Sequence, residues 1–416
     1  MKVVVVGGSA PSTPHLLAEP RLARDSRLSF VLHGRDARRL DAVRRAAVVL
    51  EPMLASRLST TTDLRAALNG AALIVVQLRA GGLAARAHDE SFPLAEGIPG
   101  DEGLGPGGLA AAWRSWPALH DVLSAVAAEA PQARVALLTA PLGILTRCAL
   151  AAFPELDVAG LCELPAVVLG EIAAAVRVAE PIAFRYAGVN HLGWFTSLER
   201  AGEDLVEAYA ATRENASYPS AATIRATRTV PLPYVRLQDE RDAVVAEQRA
   251  AQRTATARAA VLAEIAAAAY DAFERGDAAA IRSALTRRPA PWYPRAVAPW
   301  IRAAIDGSSD DVFFLTVRNA GYLEGFSRDD VVEVPHVVRD GAFVAQPTHA
   351  PPPAIAAMLR ALISYEALAA DAVVARDDAA ITGVLAAHPW VASAAIASRL
   401  APFVGAAATA RATSSA

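Results

Sequence analysis

Apolar residues fall along this chain in two rhythms, short continuous runs and helix-spaced stripes, and their alternation predicts the fold before any single residue is weighed. Residues 2–6 (KVVVV) form a buried-type strand that runs directly into Gly7 and Gly8. Thr13 and Pro14 then supply a helix N-cap and a proline at the first helical position, ahead of the apolar-patterned residues 15–23. Residues 28–32, 71–77 (AALIVVQ) and 135–139 (VALLT) repeat the strand signature, nearly all apolar, as strands covered on both faces must be. The first two strands and the helix between them make a βαβ unit. Continued alternation predicts an α/β fold with a Rossmann-type, doubly wound parallel sheet.

Residues 158–162 (VAGLC) read as a further strand, 165–178 as a helix and 184–194 as strand-like, before a mixed helical remainder. The pattern places a boundary within 165–195, giving a dinucleotide-binding domain over 1–165 and a substrate-binding and oligomerisation α+β domain over 166–416. Alanine-rich residues 353–388 predict one or two packing helices, and residues 406–416 a frayed tail. Between two of the strands, residues 81–108 are rich in glycine, proline and charge, and connections that long usually carry function.

Composition narrows the class. A chain of 416 residues with 54% hydrophobic content can bury the cores of two or three domains. No apolar run reaches the ~20 residues of a membrane span, and a strand stands where a secretory leader would begin, so a cytoplasmic location without a membrane partner is expected. Two cysteines, Cys148 and Cys162, are too few for a disulfide framework. A net charge of −3 without a basic run argues against nucleic acid. Lys2 is the single lysine, so arginine supplies the cationic chemistry and a Schiff-base mechanism is disfavoured.

Three constellations carry candidate chemistry. Gly7, Gly8 and Ser9 sit where a tight turn brings backbone N–H groups to a pyrophosphate, although the full G-x-G-x-x-G is absent. At the end of the second strand His33-Gly34-Arg35 stands where an acid would hold a ribose 2′-hydroxyl; a cation there can meet a 2′-phosphate, which keeps NADP open beside NAD. Cys162 and His191, each at a strand end, offer a thiolate and an imidazole to Mn²⁺, Fe²⁺ or Zn²⁺, against the ordinary reading of a small buried hydrophobe and a core histidine. Tyr234 is a candidate base, and Arg86 (near Asp89 and Glu90) and Arg249 are candidate phosphate ligands, though taken singly such residues are more often a surface tyrosine or a solvated charge.

Order and spacing join these pieces. Val6-Gly7-Gly8 with Thr13-Pro14, Gln77 through Gly82, Arg86 with Asp89 and Glu90, Gly105 through Gly108, Pro141 through Gly143, Gly160-Leu161-Cys162, Asn190-His191-Leu192, Pro233-Tyr234, Arg318-Asn319, Val332 through Pro335, Tyr365-Glu366 and His388-Pro389 resemble glycoside hydrolase family 4, the nicotinamide- and metal-dependent glycosidases that include 6-phospho-glucosidases. The resemblance implies a lactate/malate-dehydrogenase-like α+β domain after the Rossmann-type domain, NAD and a divalent metal, Mn expected, and a homodimer or homotetramer acting on a small-molecule glycoside. It implies an elimination–addition route: hydride removal at C3, proton removal at C2, departure of the C1 substituent, addition of water and return of the hydride. By position, Gly7, Gly8, Ser9, His33, Arg35 and Gln77 would hold the cofactor and Cys162 with His191 the metal. Tyr234 would be the C2 base with Glu163 as a second catalytic group. Arg86, Asn190 and Arg249 would face substrate, with Arg253 able to replace Arg249.

Departures from the family pattern matter too. Ala140 stands where the family carries asparagine before proline, Asp101-Glu102-Gly103 replaces Gln-Glu-Thr, and Glu163 follows the metal cysteine in place of asparagine or aspartate. They leave two further readings beside the glycosidase: a sugar dehydrogenase or epimerase on the same scaffold, and a non-catalytic sugar and cofactor sensor.

Overall fold

The computed structural model describes residues 1–178 and 181–409. Six parallel strands form its first half: β1 (Lys2–Val6), β2 (Ser29–His33), β3 (Leu58–Thr61), β4 (Leu73–Val76), β5 (Arg134–Leu137) and β6 (Val158–Cys162). They lie in the order β3-β2-β1-β4-β5-β6. The order reverses beside β1, and the crevice at the carboxyl ends of β1 and β4 is the ligand position such sheets offer. In β1, Val3 and Val5 enter one hydrophobic cluster and Val4 and Val6 the other, so a continuous valine run serves two cores, one on each face. The sequence pattern missed β3, whose LSTT holds one buried apolar side chain.

The sheet does not stop at the expected 165/166 boundary. Antiparallel strands β7 (Ala183–Val189), β8 (Leu192–Arg200), β9 (Glu203–Asp204), β10 (Val230–Pro231), β11 (Ser309–Arg318), β12 (Val331–Arg339) and β13 (Ala342–Ala345) extend it, with β11 pairing β6 through Phe314 opposite Cys162. Among the described residues thirteen strands share this one sheet.

Four local expectations change. The predicted helix 15–23 is broken into Thr13–Leu17 and Pro20–Ala23, with Ser12, not Thr13, at the first N-cap. Pro20 lacks an N–H and holds Glu19 extended (φ −64°, ψ 120°), which ends the first turn and starts the second. Residues 81–108 are mostly helical, in Gly82–Ser91, Phe92–Glu96 and the start of Gly105–Glu129. Their glycines permit close packing: a Cβ on Gly100 would lie 1.9 Å from the Glu90 carbonyl oxygen and one on Gly107 2.3 Å from that of Asp89. The strand-like 184–194 is a β7–β8 hairpin turning at Asn190 and His191. The C-terminal region forms Pro353–Ala375, Ile381–Ala387 and Ala394–Thr409, so helix replaces the start of the expected frayed tail; residues 410–416 lie outside the described residues. Among the described residues no helix is long and apolar enough to cross a membrane.

The hairpin is shaped around Tyr186. A Cβ on Gly193 would stand 2.0 Å from the Tyr186 hydroxyl oxygen, and one on Gly188 2.8 Å from it. That hydroxyl donates to the buried Glu333 carboxylate on β12. Gly193→Ala should therefore destabilise the protein by about 1–3 kcal/mol through overpacking; a denaturant midpoint equal to wild type would refute this account of the glycine.

Candidate active site

The first turn after β1 is held by the protein itself. Gly7 has φ +83°, and a Cβ there would lie 2.7 Å from the Gln77 carbonyl oxygen. The Gly7 and Gly8 N–H groups donate to the His33 carbonyl at 3.0 and 2.8 Å. The two glycines let β1 and β2 close on one another, with both amides donating to that one carbonyl. Gln77 is likewise a brace. Its Nε2 donates to the Gly7 carbonyl (3.2 Å) and Thr13 Oγ1 (3.0 Å), while its Oε1 accepts from the Tyr293 hydroxyl (2.7 Å). Ser9 remains at the turn with its carbonyl taking a 2.6 Å bond from the Tyr270 hydroxyl, and Arg35 is exposed beyond β2.

Around the carboxyl end of β6 the structure brings together Cys162, His191 and Tyr234. His191 occupies the hairpin turn at φ +69°, an unusual conformation for a residue with a side chain. Its ring stacks on Tyr234 with centroids 4.2 Å apart and planes 16° from parallel. Burial, then the nearby Arg258 charge, lowers the His191 pKa to about 4, so the imidazole is neutral, and its buried Nδ1 has no hydrogen-bond partner. Cys162 is buried with Sγ 3.9 Å from Glu163 Oε2. Burial, then the charges of Glu333 and Glu163, push its thiol well above the ordinary value. A thiol faced by two carboxylates and an orphaned imidazole nitrogen form a donor set that a cation would complete, so a divalent metal fits. Among the described residues no three histidine, cysteine, aspartate or glutamate side chains are gathered closely enough to hold a metal by themselves.

Tyr234 lies in the fields of Asp101, Arg258, Arg86 and Cys162; burial and then Asp101 raise its pKa to about 12, while the two arginines pull it down. Asp101 stands where the resemblance leads one to expect glutamine. Its Oδ1 accepts from Gly103 N at 2.7 Å, and both Asp101 Oδ1 and His191 Nδ1 border Gly103, 3.2 and 3.6 Å from where a Cβ would stand. Burial also raises the Glu163 carboxyl.

Three expected substrate ligands are placed differently. Asn190 is buried and turned inward, with Nδ2 3.3 Å from Glu333 Oε1, and its side chain also bonds Cys162. Arg86 is buried between Glu90 (2.7 Å) and Glu102 (2.6 Å). Arg249 donates to the Leu94 carbonyl, and Arg253 is exposed at the end of its helix. Two further cations act here: Arg258, whose charge reaches His191, Tyr234 and Asp101, and Arg288, which lies over the Trp292 ring and in the fields of Arg86 and Arg258. Among the described residues neither makes an ion pair. The residue pattern gave no sign of them, since an arginine at a helix start and one after a helix look like solvated charges. Glu333 and Tyr186 did leave a signal, a polar group inside the apolar strands VVEVPHVV and AFRYAGV.

A Rossmann-type sheet whose sixth strand ends in a thiol, beside an imidazole and a phenol, defines the class as a dinucleotide-fold protein with a polar pocket at the carboxyl end of β6. The sequence pattern described as Family 4 glycosyl hydrolase matches residues 2–178, and that of the Family 4 glycosyl hydrolase C-terminal domain matches residues 186–391. The chain belongs to family 4 of the glycosyl hydrolases. It is similar to the "Probable 6-phospho-beta-glucosidase" of Bacillus subtilis (strain 168), 24% identical over 96% of this chain and 94% of the relative. In fold it is similar to the 6-phospho-beta glucosidase from Thermotoga maritima solved with manganese, NAD+ and glucose-6-phosphate, with a TM-score of 0.87, 24% identity and coverage of 99% and 98% of the two chains. The malate dehydrogenase from Plasmodium falciparum solved with NADH matches more distantly, at a TM-score of 0.50, 11% identity and coverage of 90% and 99%.

Proposed function

We propose that this protein cleaves an anionic glycoside, with a 6-phosphorylated sugar as the leading substrate class, using a nicotinamide dinucleotide and a divalent metal. The observation that carries the reading is the stacked Tyr234–His191 pair, in the fields of Cys162 and of Arg258, which makes no ion pair among the described residues. The names of the similar proteins, which act on or hold 6-phospho-sugars, support it. Bound, the nicotinamide supplies hydride removal and return at the sugar C3, and the metal polarises sugar oxygens.

The chain's own residues do the rest. Cys162 and His191 would hold the metal, with Asn190 and Glu333 fixing the hairpin behind it. Tyr234, its phenol drawn down by Arg258 and by a metal at Cys162, would take the C2 proton. Glu163, whose carboxyl burial shifts above the usual value, would serve the departing C1 oxygen. Arg258 and Arg288 would meet the sugar phosphate. A homodimeric or homotetrameric assembly and a cytoplasmic location belong to the same proposal on the family resemblance.

Turnover of a 6-phospho-glycoside in D₂O should place deuterium at C2 of the product. Product without that label would refute the elimination route, and net accumulation of reduced cofactor would mark a sugar dehydrogenase in its place. Arg258→Ala should raise KM for the phosphorylated substrate about 10- to 100-fold while kcat changes less. An unchanged KM would remove Arg258 from the phosphate site.

A further inference from the structure

Resting on the metal reading above, we propose that Asp101 is a positioning residue of that site: it takes the Nδ1–H of His191 through a water seated over Gly103 and so leaves Nε2 for the metal. A metal-bound imidazole almost always gives its second ring nitrogen to a carboxylate, a carbonyl or a water, which fixes both the tautomer and the direction of the ring. His191 Nδ1 is buried and has no hydrogen-bond partner in the protein, an arrangement that is costly unless something completes it.

An acceptor stands across from it. Asp101 Oδ1 and His191 Nδ1 flank one point above Gly103, 3.2 and 3.6 Å from where a Cβ would stand, and Cε1 of the same ring follows at 3.8 Å. Glycine at this position leaves room between donor and acceptor for a bridging oxygen. Both groups are held in place. Asp101 Oδ1 accepts from Gly103 N at 2.7 Å, and the Leu104 N–H also bonds this carboxylate. The imidazole is fixed on its face by the Tyr234 ring, 4.2 Å away, so its edge nitrogens choose the remaining partners.

Asp101 stands behind the ligands and is not one of them, since among the described residues no three histidine, cysteine, aspartate or glutamate side chains gather closely enough to hold a metal. Burial works against its charge, while the Gly103 N–H and the fields of Arg86 and Arg258 favour it. A carboxylate in that place anchors the proton on Nδ1 and makes Nε2 a better donor to a cation. The Asn190–Glu333 bond secures the same hairpin turn from its other side, so His191 is set by its neighbour in the chain and by Asp101 across Gly103.

Cobalt titration of the cofactor-free protein reads the site without turnover, through the thiolate-to-metal absorption that Cys162 gives. Asp101→Ala should weaken cobalt binding about 10- to 100-fold. Gly103→Ala, whose methyl would occupy the bridging position, should weaken it comparably, and Asp101→Asn, which keeps an acceptor oxygen, should lose less than Asp101→Ala. In wild-type protein loaded with zinc, long-range nitrogen–proton NMR correlations should place the His191 proton on Nδ1. A proton on Nε2, or cobalt affinity unchanged in Asp101→Ala, would overturn the proposal while leaving the metal reading intact. A loss in Asp101→Ala that Gly103→Ala does not share would also overturn it, because the carboxylate would then act without the bridge. Wild-type protein that gives no thiolate absorption with cobalt would overturn both.

Discussion

Tyr234→Phe should lower kcat on a 6-phospho-glycoside by about 10²- to 10⁴-fold, the range that a positioned general base contributes. The substitution keeps the ring that stacks on His191 at 4.2 Å, so the imidazole stays where a metal needs it and only the hydroxyl is lost. Burial and then Asp101 raise the phenol to about 12 even with Arg258 and Arg86 pulling it down, so it is a poor base until a further cation joins them. Arg258 and a metal at Cys162 act in the other direction, so activity depends on the phenol and its cations together. The variant should still bind cofactor and metal with wild-type affinity, and solvent deuterium should no longer enter C2. Full exchange at C2 in Tyr234→Phe would move the base elsewhere, with Glu163 the first candidate.

The N-terminal half was legible because its signals are local. A valine run into two glycines, repeated apolar strands and Thr13-Pro14 each report on a few adjacent residues, and the sheet order follows from their alternation. Cys162, His191 and Tyr234 were legible as a set through order and spacing, since none is distinctive alone. What escaped was built by packing between distant segments. Arg86 and Arg249 carry the right charge at plausible positions, yet Glu90, Glu102 and the Leu94 carbonyl absorb them. Arg258 acts on the site because its helix, Arg258–Arg275, packs against Gly82–Ser91, a relation that no helical periodicity encodes. Gly7 and Gly8 also close β1 on β2 through the His33 carbonyl, which takes both amides. The long segment 81–108 looked like a loop because its glycines read as flexibility, whereas Gly100 and Gly107 serve close backbone approach.

Buried carboxylates behind the site give the second large effect, on stability against pH. Glu333 is pushed up to about 7 by burial and then by the charge of Glu163, against an ordinary value of 4.5, even though Tyr186 and Asn190 bond it. Glu366 is also raised to about 7 by burial, with Arg147 opposing and Glu333 adding to the shift; it sits against Gly143, where a Cβ would be 2.2 Å from Oε1. A carboxyl whose folded pKa exceeds its unfolded one binds its proton more tightly when folded. Its contribution to stability is therefore complete below pH 4.5 and is lost as pH rises through about 7. Each shift corresponds to about 3 kcal/mol. Buried neutral histidines work against this trend, since His191 and His388 are lowered to about 4 and about 3 and favour folding as pH rises. The wild-type curve is thus a compromise, and the difference between variant and wild type isolates the carboxylates. For metal-free protein, Glu366→Gln should gain about 3 kcal/mol relative to wild type between pH 5 and 8, whatever its constant offset. Glu333→Gln should do the same, and the double variant should gain less than the sum because each charge raises the cost of the other. Denaturant unfolding curves at several pH values decide it: variant and wild-type profiles that run parallel across this range would mean that neither carboxyl changes its protonation on unfolding.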